Sequence, residues 1–163
     1  MAFGRDTMEQ EHILVIDDDE GLLHLLKMRL SAMGFAVTPC TTGQEALAAA
    51  KKRMFDLAIT DLRLRGEDGL DVTEELLRIL PGLPIIILTA HGSIPNAVEA
   101  MQRGAFGYLT KPFDDKELKA TIEKALSQQR MSREIQRLKS LVKELYGLEN
   151  VVARSSAMQR LFQ

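Results

Sequence analysis

Leu57-Ala58-Ile59-Thr60-Asp61 is a short apolar run that closes on a carboxylate, and the turn-rich Arg65-Gly66-Glu67-Asp68-Gly69 follows it. An apolar run of this length between turn signals predicts a buried strand. In an open parallel sheet, ligands and chemistry collect outside the carboxyl ends of the strands. Asp61 therefore stands where such a sheet keeps a reactive group.

Working outward, the same grammar repeats. Ile13-Leu14-Val15-Ile16 is a strand that stops at Asp17-Asp18-Asp19. Leu22, Leu26, Leu30 and Met33 then recur at helical spacing up to Gly34. Phe35 to Cys40 is a second strand, Thr42 with Glu45 is a capping-box signal, and Ala46 to Ala50 continue that helix. Lys51-Lys52-Arg53 falls at the helix end, where the dipole favours cations, so it reads as a solvated face and not a binding patch. Beyond Asp61, Val72, Leu76, Ile79 and Leu80 form a helical stripe stopped by Pro81-Gly82. Ile85 to Thr89 is a strand apolar throughout, as expected when helices cover both faces. Ser93 is the expected cap of the next helix, with Pro95 in its first turn, Ala97, Val98 and Met101 as its buried side, and Gly104 at its end. Phe106 to Thr110 is the fifth strand, and Asp114 with Glu117 starts the fifth helix. Five βα units predict an α/β, flavodoxin-like, doubly wound five-stranded parallel sheet with right-handed crossovers.

Composition narrows the class. Lysine plus arginine is 21 against 23 aspartate plus glutamate, a net charge of −2, which argues against nucleic-acid binding by this chain alone. The single cysteine, Cys40, excludes an internal disulfide, suits a reducing compartment, and reads as buried or semi-buried. No apolar run is long enough to span a bilayer, and Met1 to Gln10 reads as a tail without signal-peptide order. The cytoplasm is the expected location. His24 has no second histidine one turn away and reads as a solvated helix residue.

The fifth helix outruns the domain. Leu118, Ile122 and Ala125 are expected to pack on the sheet. Met131, Ile135, Leu138, Val142 and Leu145 then recur at alternating spacings of four and three, a heptad seam. The two stripes fall out of phase around Gln128 to Arg130, so the helix is expected to leave the domain there and pair with a second copy, the alternative being an amphipathic helix folded back on its own domain. Gly147 is expected to break it, and a new helical pattern near Ser155 reads as the opening of another domain. The organisation expected is a tail over 1–10, a globular domain over 11–129, a helical dimerisation linker over 130–148, and the start of a further domain over 149–163.

Read in strand order, the carboxyl edge offers Asp17-Asp18-Asp19, Asp61, Thr89 and Lys111. Clustered carboxylates raise each other's pKa unless a cation is present, and a hard divalent ion such as Mg2+ takes oxygen ligands. A metal on Asp18 and Asp61, a hydroxyl from Thr89 and a charge from Lys111 meet the needs of in-line phosphoryl transfer to a carboxylate. Taken singly, an acidic cluster after a strand is often a capped turn, a threonine after isoleucines is β-propensity, and Lys-Pro ends a strand. Their joint occurrence at successive strand ends is the specific signal.

The set Val15-Ile16-Asp17-Asp18-Asp19, Thr60-Asp61-Leu62, Leu88-Thr89-Ala90 and Thr110-Lys111-Pro112-Phe113 resembles the receiver domain of two-component response regulators over about Glu11 to Gln129. The resemblance implies phosphorylation of Asp61 by a sensor histidine kinase, and an acid pocket of Asp17 and Asp18. It implies Mg2+ on Asp18, Asp61 and the backbone carbonyl of Arg63. Thr89 would turn toward the phosphoryl group, Tyr108 would change rotamer with it, and Lys111 would pair with its oxygens, with a cis bond before Pro112. Thr89-Ala90-His91-Gly92-Ser93, the long last helix and Arg154-Ser155-Ser156-Ala157-Met158 resemble the NtrC type, and within it GlrR-like (QseF-like) regulators. There a receiver precedes an AAA+ ATPase acting on sigma-54 RNA polymerase, then a DNA-binding domain. Ala153 departs from the glycine common in those ATPase domains, and this chain has no G-x-x-x-x-G-K-[ST] loop.

Two other chemistries use similar parts. A haloacid-dehalogenase-type phosphatase would take Asp17-Asp18-Asp19 as its D-x-D, but Gly21 stands where that motif wants threonine or valine. Asp114-Asp115 also follow Lys111 too closely to close a further strand. A flavin module would want a phosphate-cradling loop after the first strand, and Asp17-Asp18-Asp19-Glu20 would repel phosphate without metal.

Overall fold

The computed structural model describes residues 10–90 and 94–161. In chain order the elements are β1 (His12–Ile16), α1 (Glu20–Ala32), β2 (Ala36–Cys40), α2 (Gly43–Lys52), β3 (Leu57–Asp61), β4 (Arg63–Leu64), β5 (Glu67–Asp68), α3 (Gly69–Ile79), β6 (Ile85–Thr89), α4 (Ile94–Gln102), β7 (Gly107–Thr110) and α5 (Asp115–Leu161). Five strands form one parallel sheet in the order β2-β1-β3-β6-β7. The order reverses direction between β1 and β3, so the carboxyl ends of those two strands flank the topological switch point. The expected α/β, flavodoxin-like sheet is the one observed.

The three central strands, β1, β3 and β6, are largely apolar because each feeds two cores. Leu14, Ile16, Ala58, Ile85 and Ile87 face one side, against Ala46, Leu70, Val72, Leu76 and Ala100 of α2, α3 and α4. Ile13, Val15, Leu57, Ile59, Ile86 and Leu88 face the other, against Leu23, Leu26 and Leu30 of α1 and Leu118, Ile122, Ala125 and Leu126 of α5. Burying each such leucine or isoleucine stabilises by roughly 1.5–3 kcal/mol, and the alternation divides that gain between the faces. Local signals set the helix ends. The Asp19 side chain accepts from the Leu22 N–H, Thr42 from Glu45, Asp68 from Leu70 and Asp114 from Glu117. Gly34, Gly82 and Gly104 each adopt the left-handed conformation at a chain reversal.

Two expectations need correction. Val98 and Met101 are half exposed and Ala100 is the buried residue of α4, so the stripe expected there was one face out of phase. Arg103, just beyond α4, ties that helix down through Asp71 and Glu74 of α3 and Glu99 of α4. Gly147 does not break the last helix, because α5 runs on to Leu161. A lone glycine costs a helix interior only about 1 kcal/mol, which the flanking Leu, Glu and Lys residues tolerate. The turn-rich segment after Asp61 forms the antiparallel hairpin β4–β5. The Ser93 cap, residues 1–9 and the side-chain pattern near Ser155 lie outside the described residues.

The chain divides into two units, 1–129 and 130–163. In the second, Met131, Ile135, Leu138, Val142 and Leu145 are between 46% and 63% exposed, and Leu141 and Tyr146 extend the same uncovered surface. No helix among the described residues is long and apolar enough to cross a membrane.

Candidate functional site

Three carboxylates meet at the switch point. Asp17 follows β1, Asp18 comes next, and Asp61 ends β3. One oxygen from each lies within 4.8 Å of the others. Asp17 is fully buried. One of its oxygens accepts from the Asp19 N–H at 2.9 Å and the other from Lys111 Nζ at 3.2 Å. Asp61 is 14% exposed and also takes Lys111 Nζ, at 2.6 Å, while its other oxygen accepts the Arg63 N–H at 3.0 Å. Asp18 is half-buried and lies 4.0 Å from the guanidinium of the exposed Arg65.

The electrostatics follow from that crowding. Burial pushes the Asp17 pKa up, the Asp19 N–H and Lys111 counter it in part, and the Asp61 charge adds to the rise. Burial works against the Lys111 charge, but the Asp61 and Asp17 carboxylates outweigh it and hold its pKa above the ordinary value. The Lys111 ammonium thus bonds two carboxylates of a cluster of three. An all-oxygen set with surplus negative charge fits a hard divalent cation.

The other strand ends reach the same place. Thr89, at the end of β6, is 6% exposed and lines a cleft of about 250 Å3 with Asp61, Leu62, Arg63, Ala90 and Asn96. Lys111 follows β7, its N–H donates to the Thr89 carbonyl at 2.6 Å, and its peptide bond to Pro112 is cis. Asp17, Asp18, Asp61, Arg63, Thr89 and Lys111 are therefore gathered at one edge. Tyr108 is on β7 beside Ile87 and is 44% exposed, away from the carboxylates' contacts. The seam residues Met131 to Leu145 belong to the second unit.

Sequence reasoning overlooked how the backbone after Asp61 is held. A Cβ on Gly69 would lie 2.1 Å from the Asp61 carbonyl oxygen, so only glycine admits this approach. Glu67 reaches across to Gly43. The pair Arg65-Gly66 between Leu64 and Glu67 was the available signal for a hairpin turn, with Gly66 at φ +74°.

Comparison with known proteins agrees with this arrangement. The response regulator receiver domain family matches residues 13–123. The transcriptional regulatory protein GlrR of Escherichia coli (strain K12) is 47% identical over 117 residues, 72% of this chain and 26% of that protein. The DNA-binding transcriptional regulator NtrC of Salmonella typhimurium is 34% identical over 157 residues, 96% of this chain and 32% of NtrC. The chain thus spans between a quarter and a third of these relatives. The solution structure of the beryllofluoride-activated NtrC4 receiver domain dimer superposes with a TM-score of 0.69 at 29% identity, covering 72% of this chain and 98% of that one.

Proposed function

This chain belongs to the response regulator receiver domain family, and from that premise we propose that Asp61 is its phosphoryl acceptor, filled by a sensor histidine kinase. The observation that carries the reading is the grouping of Asp17, Asp18 and Asp61, with the Lys111 ammonium bonded to Asp17 and Asp61, beside a cleft lined by Thr89. An Asp61 oxygen forms the new bond to phosphorus as the donor's phosphorus–nitrogen bond breaks, and that electron pair stays on the donor imidazole. Lys111 offsets the phosphoryl charge, and the Thr89 hydroxyl donates to a phosphoryl oxygen. Asp17, anchored by the Asp19 N–H and Lys111, holds the ammonium in line. Mg2+ on Asp18, Asp61 and the Arg63 carbonyl, next to Asp17, would supply the remaining positive charge. Positioning and charge do this work, so the chain promotes its own phosphorylation as a regulatory module.

In this reading the signal leaves through a homodimer. Residues 130–148 serve as the linker, with Ile135 and Val142 at one set of seam positions and Leu138 and Leu145 at the other, a pattern that favours two strands. Tyr108 reports the state of Thr89 to the surface. Residues 149–163 lead toward the ATPase domain of a cytoplasmic sigma-54 activator, and RNA polymerase and DNA are partners of that longer protein. The likeness to NtrC and to the NtrC4 receiver dimer supports this.

The test is incubation with acetyl phosphate and Mg2+, read by intact mass. The wild type gains one phosphoryl group, while Asp61→Ala and a chelator-treated sample gain none. Label that persists in Asp61→Ala and disappears in Asp17→Ala refutes the reading.

A further inference from the structure

Glu67 makes no contact with the acid cluster, yet it ties down the backbone that touches Asp61. In the hairpin β4–β5, Arg63 lies opposite Asp68 and Leu64 opposite Glu67. The base of the hairpin is fixed by the Gly69 N–H, which donates to the Leu62 carbonyl at 2.8 Å, and by the Asp68 cap on α3. Its outer strand reaches a third element. Glu67 Oε1 accepts the backbone N–H of Gly43 at 2.8 Å. Gly43 is the first residue of α2, and it is buried. Its N–H is one of the donors a helix cannot satisfy internally, and a carboxylate is favoured at that positive end. A Cβ on Gly43 would lie 2.6 Å from Glu67 Oε2 and 2.5 Å from Val72 Cγ2, so the glycine opens the space the carboxylate uses. Arg65 of the same hairpin meets Asp18 only at 4.0 Å through a side chain 89% exposed, a screened contact that restrains little.

We propose that Glu67 is a positioning residue for the Asp61 site. By clasping the hairpin to the N-terminus of α2 it sets the Arg63 backbone against Asp61, whose carboxylate the Arg63 N–H holds at 3.0 Å. The inference rests on the phosphoacceptor reading and deepens it, because the same backbone would present the Arg63 carbonyl to Mg2+. Without the Glu67 carboxylate the Gly43 N–H loses its acceptor, and the hairpin keeps buried Leu64 as its anchor. The carboxylates and the cation would then meet in a less pre-organised pocket.

The test is calorimetric titration of the whole chain with Mg2+, run beside thermal melts. Glu67→Ala is expected to weaken Mg2+ binding about tenfold, the lower end for partners that orient metal ligands. Glu67→Gln, which keeps the acceptor oxygen, is expected to restore it to within about twofold on the same scale. Gly43→Ala, which crowds the carboxylate from the other side, is expected to weaken binding as well. Unchanged affinity in Glu67→Ala overturns the proposal, and so does a Gln variant as weak as the Ala variant. If Glu67→Ala does not fold, Glu67→Asp, one methylene shorter, decides in the same way. A wild type that binds no Mg2+, or an Asp61→Asn variant that binds as tightly as wild type, would instead fail the site reading and leave the clasp distinguishable from it.

Discussion

Replacing Gly69 by alanine separates packing from helix propensity by sign. Gly69 is the first residue of α3, and propensity alone makes Gly→Ala neutral or stabilising by up to about 1 kcal/mol. The structure predicts the reverse. The added Cβ would lie 2.1 Å from the Asp61 carbonyl oxygen, 2.9 Å from that of Leu62 and 3.0 Å from the Leu62 Cα. All three are backbone atoms, so no side chain can swing aside, and α3 must retreat from the end of β3. Overpacking of that kind costs about 1–3 kcal/mol. Weakening the 2.8 Å bond from the Gly69 N–H to Leu62 adds about 1 kcal/mol. Gly69→Ala is therefore expected to destabilise by about 1–4 kcal/mol in urea unfolding followed by circular dichroism, those two costs less the propensity gain of up to about 1 kcal/mol. Acetyl phosphate labelling should fall with it, since Asp61 itself moves. Gly147→Ala is the control. It lies in α5, where an added Cβ would meet nothing within 4 Å beyond its chain neighbours and its own helix's backbone, and should leave the urea midpoint unchanged or slightly higher. A Gly69→Ala midpoint at or above that of the wild type would refute the reasoning.

Further predictions follow from other sites. His12 Nε2 lies 2.8 Å from Thr38 Oγ1, and burial, then Arg53, lower its pKa against the opposing pull of Asp56. Its folded pKa is thus below the unfolded value, so its contribution is complete above about pH 6.5 and is lost as pH falls through the folded pKa. Paired melts of wild type and His12→Gln should show a gap that narrows with acidification, and a constant gap contradicts this. Burial, aided by Glu45, pushes the Cys40 thiol up to about 11, so the folded chain should resist a thiol reagent at neutral pH and react fully in urea. Fast labelling of the folded chain would argue against that burial. Ile135→Asp with Leu138→Asp should convert a dimer to a monomer in sedimentation, because each places a charge in the seam. A wild type that is monomeric at every concentration would remove the seam's proposed role.

The parts of this molecule that were legible in the sequence share a physical cause. β1, β3 and β6 are covered on both faces, so their apolar runs were continuous, and each ends abruptly in the polar residue the edge needs: Asp17, Asp61, Thr89. What escaped notice depends on contacts between distant residues. Nothing local announces that Glu67 meets Gly43, 24 residues earlier, or that Arg103 gathers Asp71 and Glu74 from α3. The face of α4 was misread because Ala100 is a weak hydrophobic signal beside Val98 and Met101, which stay half exposed. Gly147 was read as a stop because glycine often follows a helix, but its surroundings hold enough helix formers to continue.

The central claim is the identity of the acceptor carboxylate. An aspartyl phosphate is an acyl phosphate, which borohydride reduces to homoserine and so marks the acceptor permanently. The chain should be loaded with acetyl phosphate and Mg2+, trapped, digested with trypsin, and every peptide fragmented by mass spectrometry, above all Met54–Arg63. That peptide contains Asp56 and Asp61, and the account predicts homoserine at position 61 alone. Homoserine at position 17 instead, or none anywhere in a chain that has gained phosphate, would contradict it.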